Sequence, residues 1–350
     1  MRFDFSFLRQ SLKARLISNY LVILGIGGLA TSIIGSWIVS SAIMMQARRS
    51  ADLDLAVARM IYEHQIERLR GAVELASSGG TIQRYLASGD RSTLAEYLKT
   101  IRRTGGFDFL SLTNRNGDVV LRVSAPGEAG GNARSLDVVR AALAGSEAAG
   151  TDILSAEALA AENPALPGRA RIKLVAAQGT TAPGATEQTS GMVQMAAAPI
   201  RDEHGGVAGA LYGGVLLNRN FELVDRAWDL LFQGFRFAGQ NVGTVAIFQN
   251  DVRISTNTQA EHSGRALGTR AATEVRSAVL ERGQSWRDRA FVISDRYINA
   301  YEPIRNRSGQ TVGILYAGLL EKAFTSIRDR VILSFFALAT AGFILIIVVT

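Results

Sequence analysis

The sequence APIRDEHGGVAGALYGGVL, residues 198–216, returns as EPIRNRSGQTVGILYAGLL at residues 302–320. The two stretches align without a gap at an offset of 104, and nine of 19 positions are identical. Each copy contains an apolar run, a polar turn with glycine and a second apolar run, which is typical of two antiparallel strands joined by a tight turn. The repeat therefore predicts two copies of one folding unit.

The similarity extends upstream of both stretches. Residues 108–122 and 244–256 each have the pattern of a β-hairpin, with Asn116-Gly117 and Asn250-Asp251 at the turns. A short helical pattern follows each hairpin, and one further strand, residues 171–176 or 290–294, precedes the repeated pair. We therefore predict an α+β fold with two tandem modules, each a five-stranded antiparallel sheet with helices.

Two uncharged stretches flank these modules, residues 16–47 and 331–350. About 20 apolar residues suffice to span a bilayer, so we predict transmembrane helices at 16–45 and 322–350. Residues 1–15 hold four basic residues and one acidic residue, which favours a cytoplasmic N-terminus. The predicted order is stalk and helices at 46–104, a membrane-distal module at 105–220, a connecting helix at 221–241 and a membrane-proximal module at 242–321. We expect an output domain after Thr350.

Charge and composition exclude several function classes. The net charge is +7. Residues 48–330 hold 34 basic against 30 acidic residues, which is an ordinary mixed surface and not a nucleic-acid footprint. There is no Cys, and His64, His204 and His262 have no metal-binding spacing. No catalytic motif is present, so we expect neither enzymatic activity, nor a cofactor, nor a metal site in this chain.

The leading helix has one apolar face, formed by Leu55, Ala58, Tyr62, Ile66, Leu69, Val73 and Ala76. This face fits the core of the first module, a dimer seam or both. In the first span Gly28, Ser32, Ser36 and Ser40 recur every four residues, a spacing that lets helices approach closely. We predict a homodimer in the membrane, although small residues are also common in membrane helices without such a role.

The second module resembles the extracytoplasmic Cache sensors of bacterial receptors, in particular the Cache 3/Cache 2 fusion type. The resemblance rests on the segments 264–269, 297–304 and 313–318, the last of which is Gly-Ile-Leu-Tyr-Ala-Gly. It implies PAS-like modules, a periplasmic sensor domain and a multi-pass protein of the bacterial inner membrane. Such sensors feed a histidine kinase, a methyl-accepting receptor or a cyclic-dinucleotide enzyme.

Ligand candidates come from strand alternation. In the first module Arg171 and Lys173, together with Arg169, would share one strand face and could bind an anion. In the second module we predict a pocket with mixed walls, from Arg265, Thr269, Arg289, Tyr297, Asn299 and Tyr301. Solvated strand edges and packed aromatic residues are the alternatives for these positions.

These features lead to one main hypothesis and one alternative of another class. The main hypothesis is that the chain is the sensing and transmembrane signalling region of a receptor. The predicted receptor is a sensor histidine kinase, and a chemotaxis receptor or a cyclic-dinucleotide enzyme is the alternative. A small solute, anionic or similar to an amino acid, or a periplasmic protein would bind the distal module. The alternative is a structural or protein-docking ectodomain without a small-molecule ligand.

Overall fold

The computed structural model describes residues 12–125, 130–175, 186–260, 264–292 and 295–349. Part of the predicted loop at 178–191, together with His262 and Ile293, lies outside these residues. The helices are α1 Leu12–Ser78, α2 Thr81–Ser88, α3 Arg91–Gly105, α4 Asp137–Leu143, α5 Ala156–Glu162, α6 Leu166–Ala170, α7 Glu222–Phe232, α8 Thr273–Arg276 and α9 Glu321–Val349. Helix α8 continues into a π-helical turn, Ser277–Glu281.

Most of the strands belong to two sheets. They are β1 Phe109–Asn114, β2 Val119–Arg122, β3 Ala148–Leu154, β4 Ile172–Lys173, β5 Glu187–Gln188, β6 Gly191–Arg201, β7 Val207–Leu216, β8 Arg236–Phe237, β9 Gln240–Asn241, β10 Gly243–Gln249, β11 Val252–Thr256, β12 Trp286–Val292, β13 Asp295–Arg305 and β14 Thr311–Leu320. The first sheet has the order β2-β1-β7-β6-β3, and the second has the order β11-β10-β14-β13-β12. The α+β class and the antiparallel sheets are as predicted.

Identical glycines of the repeat occupy equivalent positions in the two sheets. A Cβ atom on Gly209 would lie 2.0 Å from the carbonyl oxygen of Thr113, and one on Gly313 would lie 2.2 Å from that of Phe248. Both contacts are too short for a side chain. Only glycine therefore lets β7 approach β1 and lets β14 approach β10 this closely. The repeat therefore preserves a backbone contact as well as an apolar pattern.

The third strand of the first sheet was predicted in the wrong place. Residues 171–176 were expected to flank the repeated pair, but Ile172–Lys173 pairs with Glu187–Gln188 in a separate two-stranded sheet. The strand that pairs with β6 is β3, Ala148–Leu154. The sequence of β3 is AAGTDIL, whose small and polar residues hide its position next to β6. In the second sheet β12 lies where the prediction placed it and starts earlier.

The chain divides into two compact units, Met1–Ser50 with Leu320–Thr350, and Ala51–Leu319. In the first unit a Cβ atom on Gly25 would lie 3.4 Å from the Phe343 ring, and one on Gly35 would lie 3.4 Å from the Phe335 ring. Helices α1 and α9 therefore pack closely at glycines. Among the described residues, one helix is long and apolar enough to cross a membrane, the segment Asn19–Ser78 of α1.

The second unit holds both sheets and the remaining part of α1. The predicted apolar face of α1 is buried at six of its seven positions and half-buried at Ile66. The Tyr62 hydroxyl lies 2.6 Å from the Thr151 hydroxyl of β3, and the Tyr62 carbonyl accepts a hydrogen bond from Gln194 of β6. Arg59 forms an ion pair with Glu302 of β13. Helix α1 thus contacts both sheets.

Candidate functional site

A cavity of about 390 Å³ opens at one end of the second sheet. Its wall is mostly polar and includes Arg236, Asn241, Thr244, Asn257, Asp295 and Tyr297. It therefore combines one cationic side chain, one anionic side chain and several neutral hydrogen-bonding groups. A wall of this composition suits a small polar molecule better than an apolar one.

The cavity is shaped by the segment that joins the two sheets. A Cβ atom on Gly243, at the start of β10, would lie 2.1 Å from the Phe232 ring, so glycine allows the end of α7 to pack directly on this strand. The chain then reverses in the β8–β9 hairpin, where Arg236 pairs with Asn241. Hence the hairpin and β10 supply neighbouring parts of the wall.

Several wall residues are held by hydrogen bonds. The Asn257 side chain accepts a hydrogen bond from the Val245 amide at 2.7 Å and donates one to the Gly243 carbonyl at 3.2 Å. The Gln240 amide donates to Asp295 at 3.0 Å. The polar wall is therefore largely preorganised, which reduces the entropy lost when a ligand binds.

A second unusual feature of this sheet is Arg253 of β11, which is not among the residues that line the cavity. This side chain is only 5% exposed, yet its Nε and Nη1 atoms have no hydrogen-bond partner among the described residues. A buried charge is costly unless it is paired, and burial accordingly lowers the pKa of the Arg253 guanidinium. Arginine donors of this kind bind carboxylate and phosphate groups well.

Aromatic rings surround the Arg253 guanidinium. It lies 5.0 Å from the centre of the Phe248 ring and 5.9 Å from that of Tyr316. The Tyr301 ring lies 4.5 Å from the Tyr316 ring and 5.6 Å from the Trp286 ring. Contacts with ring faces offset part of the cost of burying the cation without providing an anion.

Tyr297 connects the cavity with this aromatic cluster. It lines the cavity, and its pKa is raised by burial and by Asp295 and lowered by Arg253. Burial also raises the pKa of Tyr301 to about 12 and raises that of Tyr316 well above its usual value. The phenols are therefore neutral hydrogen-bond donors at physiological pH.

Three of the predicted site residues lie together on β13. Tyr297 lines the cavity, Tyr301 packs in the aromatic cluster, and Asn299 is buried between them. The Asn299 side chain donates to the Ala290 and Tyr297 carbonyls and accepts a hydrogen bond from the Tyr316 hydroxyl at 2.8 Å. These three residues therefore lie on one face of β13, and their role in ligand binding stays a prediction.

The other predicted residues of the second module are not among the residues that line the cavity. Arg265 forms two hydrogen bonds with Asp225, at 2.6 and 2.8 Å, and stacks over Phe221. The Thr269 hydroxyl donates to the Ala266 carbonyl, while its own carbonyl accepts from the Arg253 amide. Arg289 is exposed, as is Phe291, so these two alternating residues face solvent and not an apolar interior. The ligand role of these residues stays a prediction.

The basic residues of the first module do not share one strand face. Arg169 lies in α6 and pairs with Asp108, while Arg171 ends that helix, with its Nε 3.7 Å from Glu187. Lys173 is exposed on β4. The expectation of one shared strand face failed because it assumed a strand at 171–176, where the structure has the two-residue strand Ile172–Lys173.

Arg253 was missed by sequence reasoning. Its segment, Val252–Thr256, has arginine between two apolar residues, and in a hairpin this pattern suggests a solvent-facing side chain. The burial follows from strand pairing, which brings Arg253 opposite Phe248 after an irregularity in the β10–β11 register. No local sequence pattern predicts such an irregularity.

The predicted packing residues of the first span line one side of α1. Ser32 is 4% exposed, while Gly28, Ser36 and Ser40 are half-buried. Gly25 and Gly35, which contact Phe343 and Phe335 of α9, lie close to the same side. These small residues thus adjoin a helix of the same chain, and their use in a dimer stays a prediction. Among the described residues no group of three or more His, Asp or Glu side chains could hold a metal ion.

Comparison with known proteins finds a family model that matches the segment holding the second sheet. Residues 215–331 match the family model described as single Cache domain 3, which confirms the resemblance for this segment. No curated protein matches the sequence significantly.

Solved structures with a similar fold include bacterial sensor domains. The periplasmic domain of Vibrio cholerae LuxQ is 15% identical, with a TM-score of 0.42, over 77% of this chain and 99% of that one. The sensor domain of the V. cholerae histidine kinase DctB is 12% identical, with a TM-score of 0.40, over 77% and 95%. The ligand-binding domain of the Pseudomonas aeruginosa chemoreceptor PctB, in complex with L-Arg, is 14% identical, with a TM-score of 0.37, over 79% and 94%.

Proposed function

We propose that this chain is the extracytoplasmic ligand-sensing and transmembrane signalling region of a bacterial receptor. A small polar molecule with an anionic group, such as a monocarboxylate or an amino acid, binds in the second sheet. The observation that carries the proposal is Arg253, a buried guanidinium with unused donors in the same sheet as the polar cavity, within the segment that matches a Cache domain.

The cavity chemistry supports an anionic or amino acid-like ligand. A ligand carboxylate would take up the unused donors of Arg253, whose burial is otherwise poorly compensated. Arg236 and Asp295 in the cavity wall provide charges of both signs for the remaining polar groups of such a ligand. This assignment differs from the expectation that the ligand binds at 105–220, and that expectation remains the second possibility to be tested.

The topology that we propose has two spans, at 16–45 and 322–350, with the sheets on the periplasmic side of the inner membrane. Strand β14 ends at Leu320 and helix α9 begins at Glu321, so no linker separates the sensing sheet from the second span. Ligand binding biases signalling by its different affinity for two arrangements of the spans in a homodimer. A coupling of about 1–3 kcal/mol suffices for a useful response.

The output that we propose is a histidine kinase encoded beyond Thr350, with a methyl-accepting coil or a cyclic-dinucleotide enzyme as the alternatives. Residues 1–350 have no catalytic role in this scheme. The modules act by binding and by changing the packing of helices.

Thermal unfolding of the purified chain in detergent, with L-amino acids and short monocarboxylates, tests this proposal. We expect at least one compound to raise Tm in a saturable manner and the effect to be lost in Arg253→Gln. The matched control is Arg171→Gln, which removes an exposed arginine of the first module and is expected to keep the response.

The possible outcomes separate the hypotheses. A response that survives in Arg253→Gln and disappears in Arg171→Gln would move the ligand to the first module. If no compound changes Tm, the docking ectodomain becomes the better account.

A further inference from the structure

The interior of the first sheet contains a polar cluster that the proposed sensing site does not use. Strand pairing places Arg122 of β2 opposite Ser111 of β1, and Ser111 opposite Tyr212 of β7. These three side chains thus form one row across three neighbouring strands. All three are buried, with exposures of 8%, 0% and 0% respectively.

The carboxylate of Glu162, the last residue of α5, lies on this row. Its Oε2 atom accepts a hydrogen bond from the Ser111 hydroxyl at 2.6 Å, and its Oε1 atom accepts one from the Tyr212 hydroxyl at 2.6 Å. The Arg122 Nε atom lies 3.7 Å from Oε1. Each carboxylate oxygen therefore has a hydroxyl donor, and a guanidinium balances the charge, which is how proteins bind a carboxylate ligand.

The second sheet shows that the fold itself does not require this cluster. The strand positions equivalent to Arg122, Ser111 and Tyr212 hold Thr256, Ala246 and Tyr316, as the register gives them. The tyrosine is kept, but the arginine and the serine are absent from this row. The donors that receive Glu162 are thus particular to the first sheet.

We propose that Ser111, Arg122 and Tyr212 form a carboxylate-binding site that Glu162 of the same chain occupies. The first module is then closed by its own side chain, which acts as an internal ligand and holds α5 on the sheet. Free small carboxylates enter this site only when the Glu162 side chain is removed.

The test is rescue of a truncated variant by a free carboxylate. In Glu162→Ala the donors lose their carboxylate, and we expect Tm of the full chain in detergent to fall by about 5–15 °C in chloride buffer. Sodium acetate, a probe of the size of the removed group, is expected to raise Tm saturably and to recover several degrees. Glu157→Ala is the matched control, because Glu157 lies on the same helix and is exposed.

The control also corrects for acetate that binds elsewhere, including at Arg253. If acetate raises Tm of Glu162→Ala no more than that of Glu157→Ala, the proposal is overturned. If Glu162→Ala does not fold in chloride, Glu162→Gln keeps the side-chain volume, removes the charge and replaces one acceptor oxygen with an NH2 donor. We expect it to lower Tm by at least 5 °C relative to Glu157→Gln, whereas equal stability of the two variants would overturn the proposal.

Discussion

At the scale of single residues, Asp54 shows how burial sets a pH dependence. Asp54 lies on α1, is 8% exposed, and its Oδ2 atom has no hydrogen-bond partner among the described residues. Burial raises the pKa of its carboxyl group from 3.8 to about 7. The folded state keeps a proton that the unfolded chain releases near pH 4, so stability falls as the pH rises from about 4 to about 7 and is level above that.

We predict that Asp54→Asn raises Tm by about 3–6 °C at pH 8 and changes it little at pH 4, because the amide carries no charge to bury. Thermal unfolding of the purified chain at both pH values measures this difference. Asp229→Asn, at an exposed position of α7, is the control and should show no such pH dependence. An equal gain for Asp54→Asn at pH 4 and pH 8 would contradict the assignment.

The candidate site also illustrates what single residues reveal in sequence. Tyr297, Asn299 and Tyr301, which were predicted as pocket residues, share one face of β13 because alternate residues of a strand point to the same side, and their ligand role stays a prediction. Arg253 was not predicted, since its burial depends on a register irregularity between β10 and β11. Charged residues in hairpins are normally exposed, so local pattern alone favours the wrong interpretation.

At the scale of elements, the glycines of the last strands control sheet assembly. A side chain on Gly313 would meet the Phe248 carbonyl at 2.2 Å, and this backbone atom cannot move away without breaking the β10–β14 pairing. We predict that Gly313→Ala lowers the free energy of unfolding by about 1–3 kcal/mol.

The control for this prediction is Gly168→Ala in α6, where a Cβ atom would have no neighbour within 4 Å. Alanine there should be neutral or slightly stabilising, because it restricts the unfolded chain. Denaturant unfolding of the two variants gives the comparison. Equal stability of both would mean that the sheet accommodates the extra methyl group.

Elements with strong patterns were predicted and those without were not. The two hairpins, the repeated strand pairs and the leading helix follow from alternation, glycine turns and helical spacing. Strand β3 was not predicted because AAGTDIL has no alternation. In the strand-like sequence RIKLVA, the short strand Ile172–Lys173 pairs with Glu187–Gln188 instead of β6. Which of two candidate segments pairs with β6 is decided by tertiary contacts.

At the scale of the whole molecule, α1 contacts the first sheet through Tyr62 and the second sheet through the ion pair of Arg59. The ion pair of Arg59 with Glu302 joins a half-exposed arginine to a carboxylate whose side chain is only 8% exposed. We predict that Arg59→Ala lowers Tm by several degrees and speeds amide hydrogen exchange in β13 and in residues 51–62, because Glu302 is left buried without its cation.

The comparison variant for this contact is Arg70→Ala, which breaks an exposed pair with Glu67 on the same helix and a 3.8 Å pair with Glu147. Exposed pairs contribute about 0–1 kcal/mol, so its Tm should stay near that of the unaltered chain. Hydrogen exchange in β13 that does not differ between the two variants would argue against a coupling of α1 and the second sheet through Arg59.

The direct passage from β14 into α9 has a consequence for the angular phase of the helix. An α-helix turns by about 100° per residue, so one residue inserted between Leu320 and Glu321 would present a different side of α9 to its neighbours. Seven inserted residues would restore the original side almost completely, since they make nearly two full turns. The number of residues between β14 and α9 therefore determines which side of α9 faces its neighbours, and this side changes in steps of about 100°.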